Sequence, residues 1–148
     1  MPKIKHILVP TDFDESAEQA LQYAVELSQQ FGARLTLLHV YEIPVHAYTT
    51  MMYPPEGFVK ELGAAARKKL DEAVNTVRKQ VPEATSILHA GTPGEQILTA
   101  IKETGADLVV MGTHGRRGLG HVMFGSVAEK TVRQSPIPVL VVRSAAQR

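Results

Sequence analysis

The feature that most constrains the fold of this chain is the alternation of two hydrophobic periods. Short apolar runs typical of strands alternate with longer segments in which apolar residues recur at helical spacing, as in βαβ units. The runs Leu108–Met111 and Val139–Val142 are continuously apolar, as expected of parallel strands covered on both faces. This pattern predicts an α/β fold with a five-stranded parallel sheet. The predicted strands are Ile4–Val9, Arg34–Val40, Ala84–His89, Asp107–Gly112 and Val139–Val142.

Four helices are predicted between these strands, each from apolar residues at i, i+3, i+4 and i+7 spacing. The first is expected to start with a capping box at Ser16–Gln19 and to stop at Gly32. The third is expected to have Thr92 as its cap and Pro93 at its first position. The predicted helices lie between Ala17 and Phe31, after Pro54-Pro55 and before Pro82, between Thr92 and Gly105, and from about Ser126 to Gln134.

Size and composition limit the class of protein. The 148 residues suffice for one self-sufficient core, so we expect a single domain over residues 1–148. The absence of cysteine excludes disulfides, thiolate metal sites and cysteine nucleophiles. The chain has 16 Lys and Arg residues and 15 Asp and Glu residues. The resulting net charge of +1 disfavours nucleic acid or an anionic membrane as the main partner. No stretch approaches the ~20 apolar residues of a membrane span, so a soluble cytoplasmic protein is expected.

Two loops are predicted to form a site at one edge of the sheet. In a doubly wound sheet, ligands bind beyond the carboxyl ends of the strands, where the strand order reverses. If strands 1 to 3 spread one way from the centre and strands 4 and 5 the other, the loops after strands 1 and 4 face each other. The first contains Pro10-Thr11-Asp12, and the second is the glycine-rich segment Gly112–Gly125.

The glycine-rich segment has the composition of a phosphate-binding loop, although a flexible turn would also explain glycines. Glycines let backbone N–H groups approach an anion, and the following helix start adds further N–H groups and the hydroxyl of Ser126. Arg116 and Arg117 could place positive charge over the phosphates. The P-loop pattern G-x-x-x-x-G-K-[ST] is absent, and Gly118-Leu119-Gly120 lacks the third glycine and the first-strand position of the dinucleotide motif.

The spacing of the glycines carries a resemblance. The pattern G-x2-G-x9-G-S, from Gly112 to Ser126, resembles the G-2x-G-9x-G-[S/T] motif of the ATP-binding branch of the universal stress protein family. The flanking segments Ile7–Asp12 and Pro138–Arg143 are similar to the start and end of that family. The similarity covers essentially the whole chain, and this sequence matches the family motif at every specified position.

The resemblance implies an α/β domain of the adenine-nucleotide alpha-hydrolase-like type with strand order 3-2-1-4-5. It also implies a dimer that binds ATP, with Mg²⁺ carried by the triphosphate. In such a site Asp12 approaches the ribose, Val40 lines the adenine pocket and Val127 is a backbone donor. Gly112, Gly115, Gly125 and Ser126 would hold ribose and phosphates, and Pro10, Thr11 and Met111 take neighbouring positions.

Other interpretations of individual residues are less favoured. Asp12 also suits a response-regulator receiver, but that fold requires an aspartate after strand 3 and a lysine after strand 5. This chain has His89-Ala90 and Arg143 there. The six histidines show no H-E-x-x-H pattern, so no specific metal cage is expected. His114, inside the glycine loop, either contacts phosphate or faces solvent.

Several functions remain open. The first is a nucleotide-dependent stress-response regulator, with at most slow ATP hydrolysis, that acts through its dimer or through the loop Tyr41–Gly57. The second is an ATP hydrolase or phosphotransferase. The third is a protein of the same fold that binds AMP or a cyclic nucleotide. The regulator is favoured because no carboxylate in the glycine loop can orient water. The apolar edge strand Val139–Val142 predicts a homodimer, since pairing with a second copy covers it.

Overall fold

The computed structural model describes residues 3–44, 57–113 and 125–144. Within them, five strands alternate with four helices in the predicted order, and no helix is both long and apolar enough to cross a bilayer. The fourth helix and the last strand have the predicted bounds, whereas the other strands differ by one or two residues. The elements are β1 (His6–Pro10), α1 (Glu15–Phe31), β2 (Arg34–Tyr41), α2 (Phe58–Val77), β3 (Thr85–Ala90), α3 (Pro93–Thr104), β4 (Leu108–Gly112), α4 (Ser126–Gln134) and β5 (Val139–Val142).

The strands form one parallel sheet in the order β3-β2-β1-β4-β5, as the resemblance implied. The pairing of β1 with β2 runs from His6↔Arg34 to Pro10↔Leu38, and β1 pairs with β4 on its other side. The chain leaves β1 towards β2 and β3, then returns across the sheet to β4 and β5. The strand order therefore reverses between β1 and β4.

Helices cover both faces of the sheet. Successive residues of a strand point to opposite faces, so a continuously apolar strand has side chains to bury on each of them. Along β1, Ile7 and Val9 are buried in the core beneath α1 and α2, while Leu8 is buried in the core beneath α3 and α4. The same alternation in β4 separates Val110 from Val109. The apolar runs of the central strands are thus covered on both faces, as predicted.

The start of α1 differs from the predicted capping box, which is wrong. The N-cap is Asp14, whose Oδ1 accepts a hydrogen bond from the backbone N–H of Ala17 at 2.8 Å. Ser16 lies inside the first turn and donates its hydroxyl to the same Oδ1 at 3.2 Å. Aspartate caps as well as serine does, and its charge also favours the positive end of the helix dipole.

The other predicted helix ends are mostly confirmed. Gly32 ends α1 in the left-handed conformation, with φ of 64°. Thr92 is the N-cap of α3 and Pro93 its first residue, although the Thr92 side chain makes no capping hydrogen bond.

Candidate functional site

A cleft opens at the carboxyl edge of the sheet, at the reversal between β1 and β4. It encloses about 550 Å³, including the open space at its mouth. Its walls are mostly apolar, and its polar side chains come from the segment that follows β1. This is the position expected for the ligand site of a doubly wound sheet.

Most of the predicted site residues meet in this cleft. Those that line it are Pro10, Thr11, Asp12, Val40, Met111, Gly112 and Val127. Gly125 and Ser126 lie beside Val127 at the start of α4, outside the lining residues. Gly115 and Arg116 fall outside the described residues, as do His114 and Arg117.

Six further lining residues were missed by the sequence reasoning. All but one belong to the first two turns of helices, and every helix of a parallel α/β fold starts at the carboxyl edge of the sheet. The opening positions of each predicted helix could therefore have been included. The missed residues are Ser16 and Ala17 in α1, Pro93 and Ile97 in α3, Ala128 in α4, and Leu38 in β2.

The turn after β1 is fixed by its own hydrogen bonds. The Thr11 N–H donates to the carbonyl of Leu38 at 2.8 Å, which extends the pairing of β1 with β2. The Thr11 hydroxyl oxygen accepts from the Phe13 N–H at 3.0 Å, and Asp12 Oδ1 accepts from the Asp14 N–H at 3.1 Å. These bonds hold Asp12 at the wall of the cleft.

The Asp12 carboxyl group is electrostatically unusual. Burial raises its pKa to about 6, and the nearby charge of Asp14 adds to the rise, against the lowering effect of the Asp14 N–H. An ionised carboxylate at this position is therefore poorly solvated. Perturbed carboxyl groups in clefts are typical of functional sites, and a hydroxyl donor from a ligand would compensate this one.

Gly112 is required by a close approach between β4 and α1. A Cβ at this position would lie 2.7 Å from the carbonyl carbon of Ser16 and 2.9 Å from the backbone nitrogen of Ala17. Because backbone atoms cannot move aside cheaply, a larger residue would push α1 away from the sheet. Gly112 thus lets the start of α1 contribute to the floor of the cleft.

The start of α4 is suited to an anion. The Gly125 N–H donates to the carbonyl of Thr113 at 2.6 Å, so the two ends of the predicted glycine loop meet. Gly125 is the N-cap and no side chain caps this helix start, whereas the start of α1 is occupied by the Asp14 carboxylate. Of these two helix starts, α4 therefore offers backbone N–H groups to a phosphate.

The histidines in the described part of the chain have partners within the protein. His6 Nε2 lies 2.7 Å from the Thr36 hydroxyl, and His89 Nε2 lies 3.1 Å from a carboxylate oxygen of Glu103. Across residues 3–44, 57–113 and 125–144, no group of three or more potential metal-ligating side chains comes together.

Comparison with known proteins identifies the family. The chain matches the universal stress protein family over residues 3–143. It belongs to the universal stress protein family. This family member is 33% identical to Universal stress protein YxiE of Bacillus subtilis, over 93% of this chain and 97% of that protein. It is 32% identical to Universal stress protein MJ0577 of Methanocaldococcus jannaschii, over 94% of each chain.

Solved structures of universal stress proteins share the fold. The MJ0577 structure superposes with a TM-score of 0.79 at 29% identity, covering 96% of this chain and 97% of that one. A universal stress protein in complex with cAMP has a TM-score of 0.67 at 20% identity, covering 97% and 100%. A family protein from Arabidopsis thaliana with AMP bound has a TM-score of 0.64 at 21% identity, covering 96% and 93%. The last two likenesses concern the fold alone.

Proposed function

We propose that this universal stress protein binds an adenine nucleotide in the cleft, namely ATP with Mg²⁺ carried by the triphosphate. It acts in the cytoplasm as a nucleotide-dependent regulator of the stress response, with at most slow hydrolysis. The observation that carries the proposal is the cleft itself. It lies at the reversal of strand order and is lined by a strand end, a half-buried carboxyl group and the first turn of a helix without a side-chain cap.

The end of β2 offers a backbone edge suited to a base. The Leu38 carbonyl accepts from the Thr11 N–H, so this residue turns its backbone polar groups towards β1. In a strand, the N–H and C=O of alternate residues point the same way, and Val40 is the next such residue. The strand pairing ends at Pro10↔Leu38, so the N–H and C=O of Val40 lie beyond it, on the cleft side. One donor and one acceptor at this spacing match an edge of adenine.

The polar groups of the cleft suit the remainder of a nucleotide. Asp12 would accept hydrogen bonds from ribose hydroxyls, which would compensate the burial of its carboxylate. The start of α4, with Gly125, Ser126 and Val127, would bind phosphates through backbone N–H groups and a hydroxyl. The motif assigns Gly115 to the same phosphates, and Arg116 would add positive charge beside them. Mg²⁺ would neutralise part of the triphosphate charge.

Binding is favoured over rapid hydrolysis by the chemistry of the cleft. Phosphoryl transfer to water requires a residue that orients the nucleophile near the terminal phosphate. Asp12 is the one carboxylate among the described residues that line the cleft, and we assign it to the ribose. AMP or a cyclic nucleotide is the alternative ligand, since the sequence does not determine how many phosphates the site holds.

We also propose a homodimer through β5. This strand is the last in the sheet order, so one of its two sides is not paired with another strand of the sheet. Leu140 on it is 39% exposed. The Pro138 carbonyl accepts from the Val109 N–H, so Val139 and Val141 turn their backbone N–H and C=O groups outward. A second copy of β5 would pair with those groups and cover the edge.

A thermal-shift panel tests the proposed ligand. We expect ATP with Mg²⁺, at 100 times its dissociation constant, to stabilise the protein by ~2.7 kcal/mol, which corresponds to several degrees. AMP, cAMP and GTP complete the panel. Ser126→Ala should weaken ATP binding about tenfold, because it removes a hydroxyl donor to a charged phosphate.

The matched control is Thr76→Ala, which removes a hydroxyl bonded only within α2, on the opposite face of the sheet. Its response to ATP should equal that of the wild type. If no adenine nucleotide raises the unfolding temperature, the proposed function is refuted. If AMP or cAMP raises it and ATP does not, that nucleotide is the ligand in place of ATP.

A further inference from the structure

His39 of β2 contacts the turn that carries Asp12 and lies on the face of the sheet that α1 and α2 cover. Leu35 and Leu37 are buried in the core beneath α1 and α2, while Leu38 and Val40 face the side of α3 and α4. His39 continues the first series and lies on the α1 and α2 face. It is not among the residues that line the cleft. Its effect on a ligand must therefore act through other residues.

His39 contacts the residues on both sides of Asp12 in the chain. Its Nδ1 lies 2.8 Å from the carbonyl oxygen of Thr11, and since a carbonyl only accepts, Nδ1 carries the hydrogen. Its ring centroid lies 4.5 Å from that of Phe13, with the planes tilted by 48°. The imidazole thus holds the chain at positions 11 and 13 while the side chain between them lines the cleft.

The backbone between these contacts is strained. Phe13 has φ of 68°, and no other non-glycine residue in the described part of the chain has positive φ. This left-handed conformation is unfavourable for a residue with a Cβ and persists only where surrounding contacts hold it. The hydrogen bond from the Phe13 N–H to the Thr11 hydroxyl is one such contact, the packing of Phe13 against the core beneath α1 and α2 is another, and the two His39 contacts add to them. Strained positions of this kind cluster at ligand sites.

We propose that His39 is a positioning residue for the cleft, which maintains the left-handed turn at Phe13 and thereby presents the Asp12 carboxylate to ribose hydroxyls. The imidazole makes two separable contacts, of which the hydrogen bond to the Thr11 carbonyl is the one that positions the turn, while the ring contact with Phe13 supports it. The ribose assignment rests on the proposed function, whereas the positioning of Asp12 by His39 does not depend on any ligand.

Two variants separate the contacts of His39. His39→Phe keeps a ring against Phe13 but loses the donor to Thr11, and His39→Asn keeps a donor near the Nδ1 position but loses the ring. Dissociation constants are measured for ATP and for 2′,3′-dideoxy-ATP, which lacks the ribose hydroxyls. The wild type should prefer ATP by about tenfold, because hydroxyl hydrogen bonds to a carboxylate are strong.

The ratio of the two dissociation constants is the decisive quantity. In His39→Phe it should fall to the low value of Asp12→Asn, while the affinity for dideoxy-ATP stays unchanged. In His39→Asn the ratio should stay within about threefold of the wild type. An unchanged ratio in His39→Phe would overturn the proposal, and so would equal losses in both variants.

A second readout requires no ligand and distinguishes this proposal from the proposed function. The carboxyl carbon of Asp12 is titrated by NMR in the wild type and both variants. Burial raises the pKa of Asp12 to about 6, and the Asp14 carboxylate, present in all three proteins, contributes to the rise. Loosening of the turn in His39→Phe should expose Asp12 to water and lower this pKa towards 3.8. A pKa that stays near 6 in His39→Phe would contradict the positioning role, even if no nucleotide binds.

Discussion

At the residue scale, two titratable side chains at opposite edges of the sheet have pKa values displaced in opposite directions. Asp12, at the carboxyl edge, has its pKa raised to about 6, mainly by burial. His6, at the amino edge, has its pKa lowered by burial and then by the charge of Arg34. His6 is also bonded to the Thr36 hydroxyl and lies 3.2 Å from the carbonyl of Thr104. The carboxyl edge therefore carries an unfavourable charge that a ligand could compensate.

Asp12→Asn should stabilise the ligand-free protein at pH 7 while weakening nucleotide binding. The folded-state pKa of Asp12, about 6, exceeds its ordinary value of 3.8, so the folded state binds the proton more tightly. Its contribution to stability is present below pH 3.8 and is lost as pH rises to 6. Asparagine keeps the acceptor for Asp14 without the charge. We expect a gain of about 1 kcal/mol, since the pKa displacement corresponds to at most ~3 kcal/mol and water screens the half-exposed group.

Urea unfolding of both proteins between pH 4 and pH 7 measures this difference. It should grow with pH up to about 6 and then stay constant. His6 has the opposite effect, because its lowered pKa makes stability fall as pH drops below 6.5. Its contribution is common to both proteins and cancels in the difference. If the difference in unfolding free energy between the two proteins does not vary with pH, the gain does not come from the charge of Asp12.

At the element scale, the sequence predicts bounds best where strong stop signals stand on both sides. α4 and β5 have their predicted bounds because Gly125 precedes the helix, while Pro136 and Pro138 separate it from the strand. The start of α1 was mispredicted because Asp14 and Ser16 both suit an N-cap, and only the position of the turn after β1 decides between them. Glycine spacing identified Gly112, but its close contact with α1 is a tertiary property.

The edge strand β5 should control the oligomeric state. Leu140→Lys places a charge on the exposed edge, which would prevent burial against a second copy. Sedimentation velocity at micromolar concentration should show a dimer for the wild type and a monomer for this variant. Ala65→Lys, which adds the same charge at an exposed position of α2 near β3, on the opposite side of the sheet from β5, should remain a dimer. A monomeric wild type would contradict the interface.

At the scale of the whole molecule, the two edges of the sheet have different roles. The amino edge is closed by protein groups: Asp107 accepts from the Lys5 and His6 N–H groups, and the Thr36 hydroxyl bridges His6 to Thr85. The carboxyl edge holds the cleft. The net charge of +1 is compatible with a small anion there, because backbone N–H groups at a helix start do not register in the formal charge.

The alternation of elements predicted the fold class, and the family resemblance predicted seven of the thirteen residues that line the cleft. The sequence could not predict which helix turns reach the cleft, or that His39 contacts the turn from behind, since both depend on how strands and helices pack. The strand order came from the family resemblance, because local patterns do not determine how strands are arranged across a sheet.

The most direct test of the central claim is a titration of isotope-labelled protein with ATP and Mg²⁺, followed through backbone amide NMR signals. We expect saturable shifts for the amides of Asp12, Val40 and Val127 at the carboxyl edge, with those of Thr36 and Thr85 at the amino edge unchanged. The absence of saturable shifts at the carboxyl edge up to millimolar ATP would contradict the claim, as would shifts confined to the amino edge.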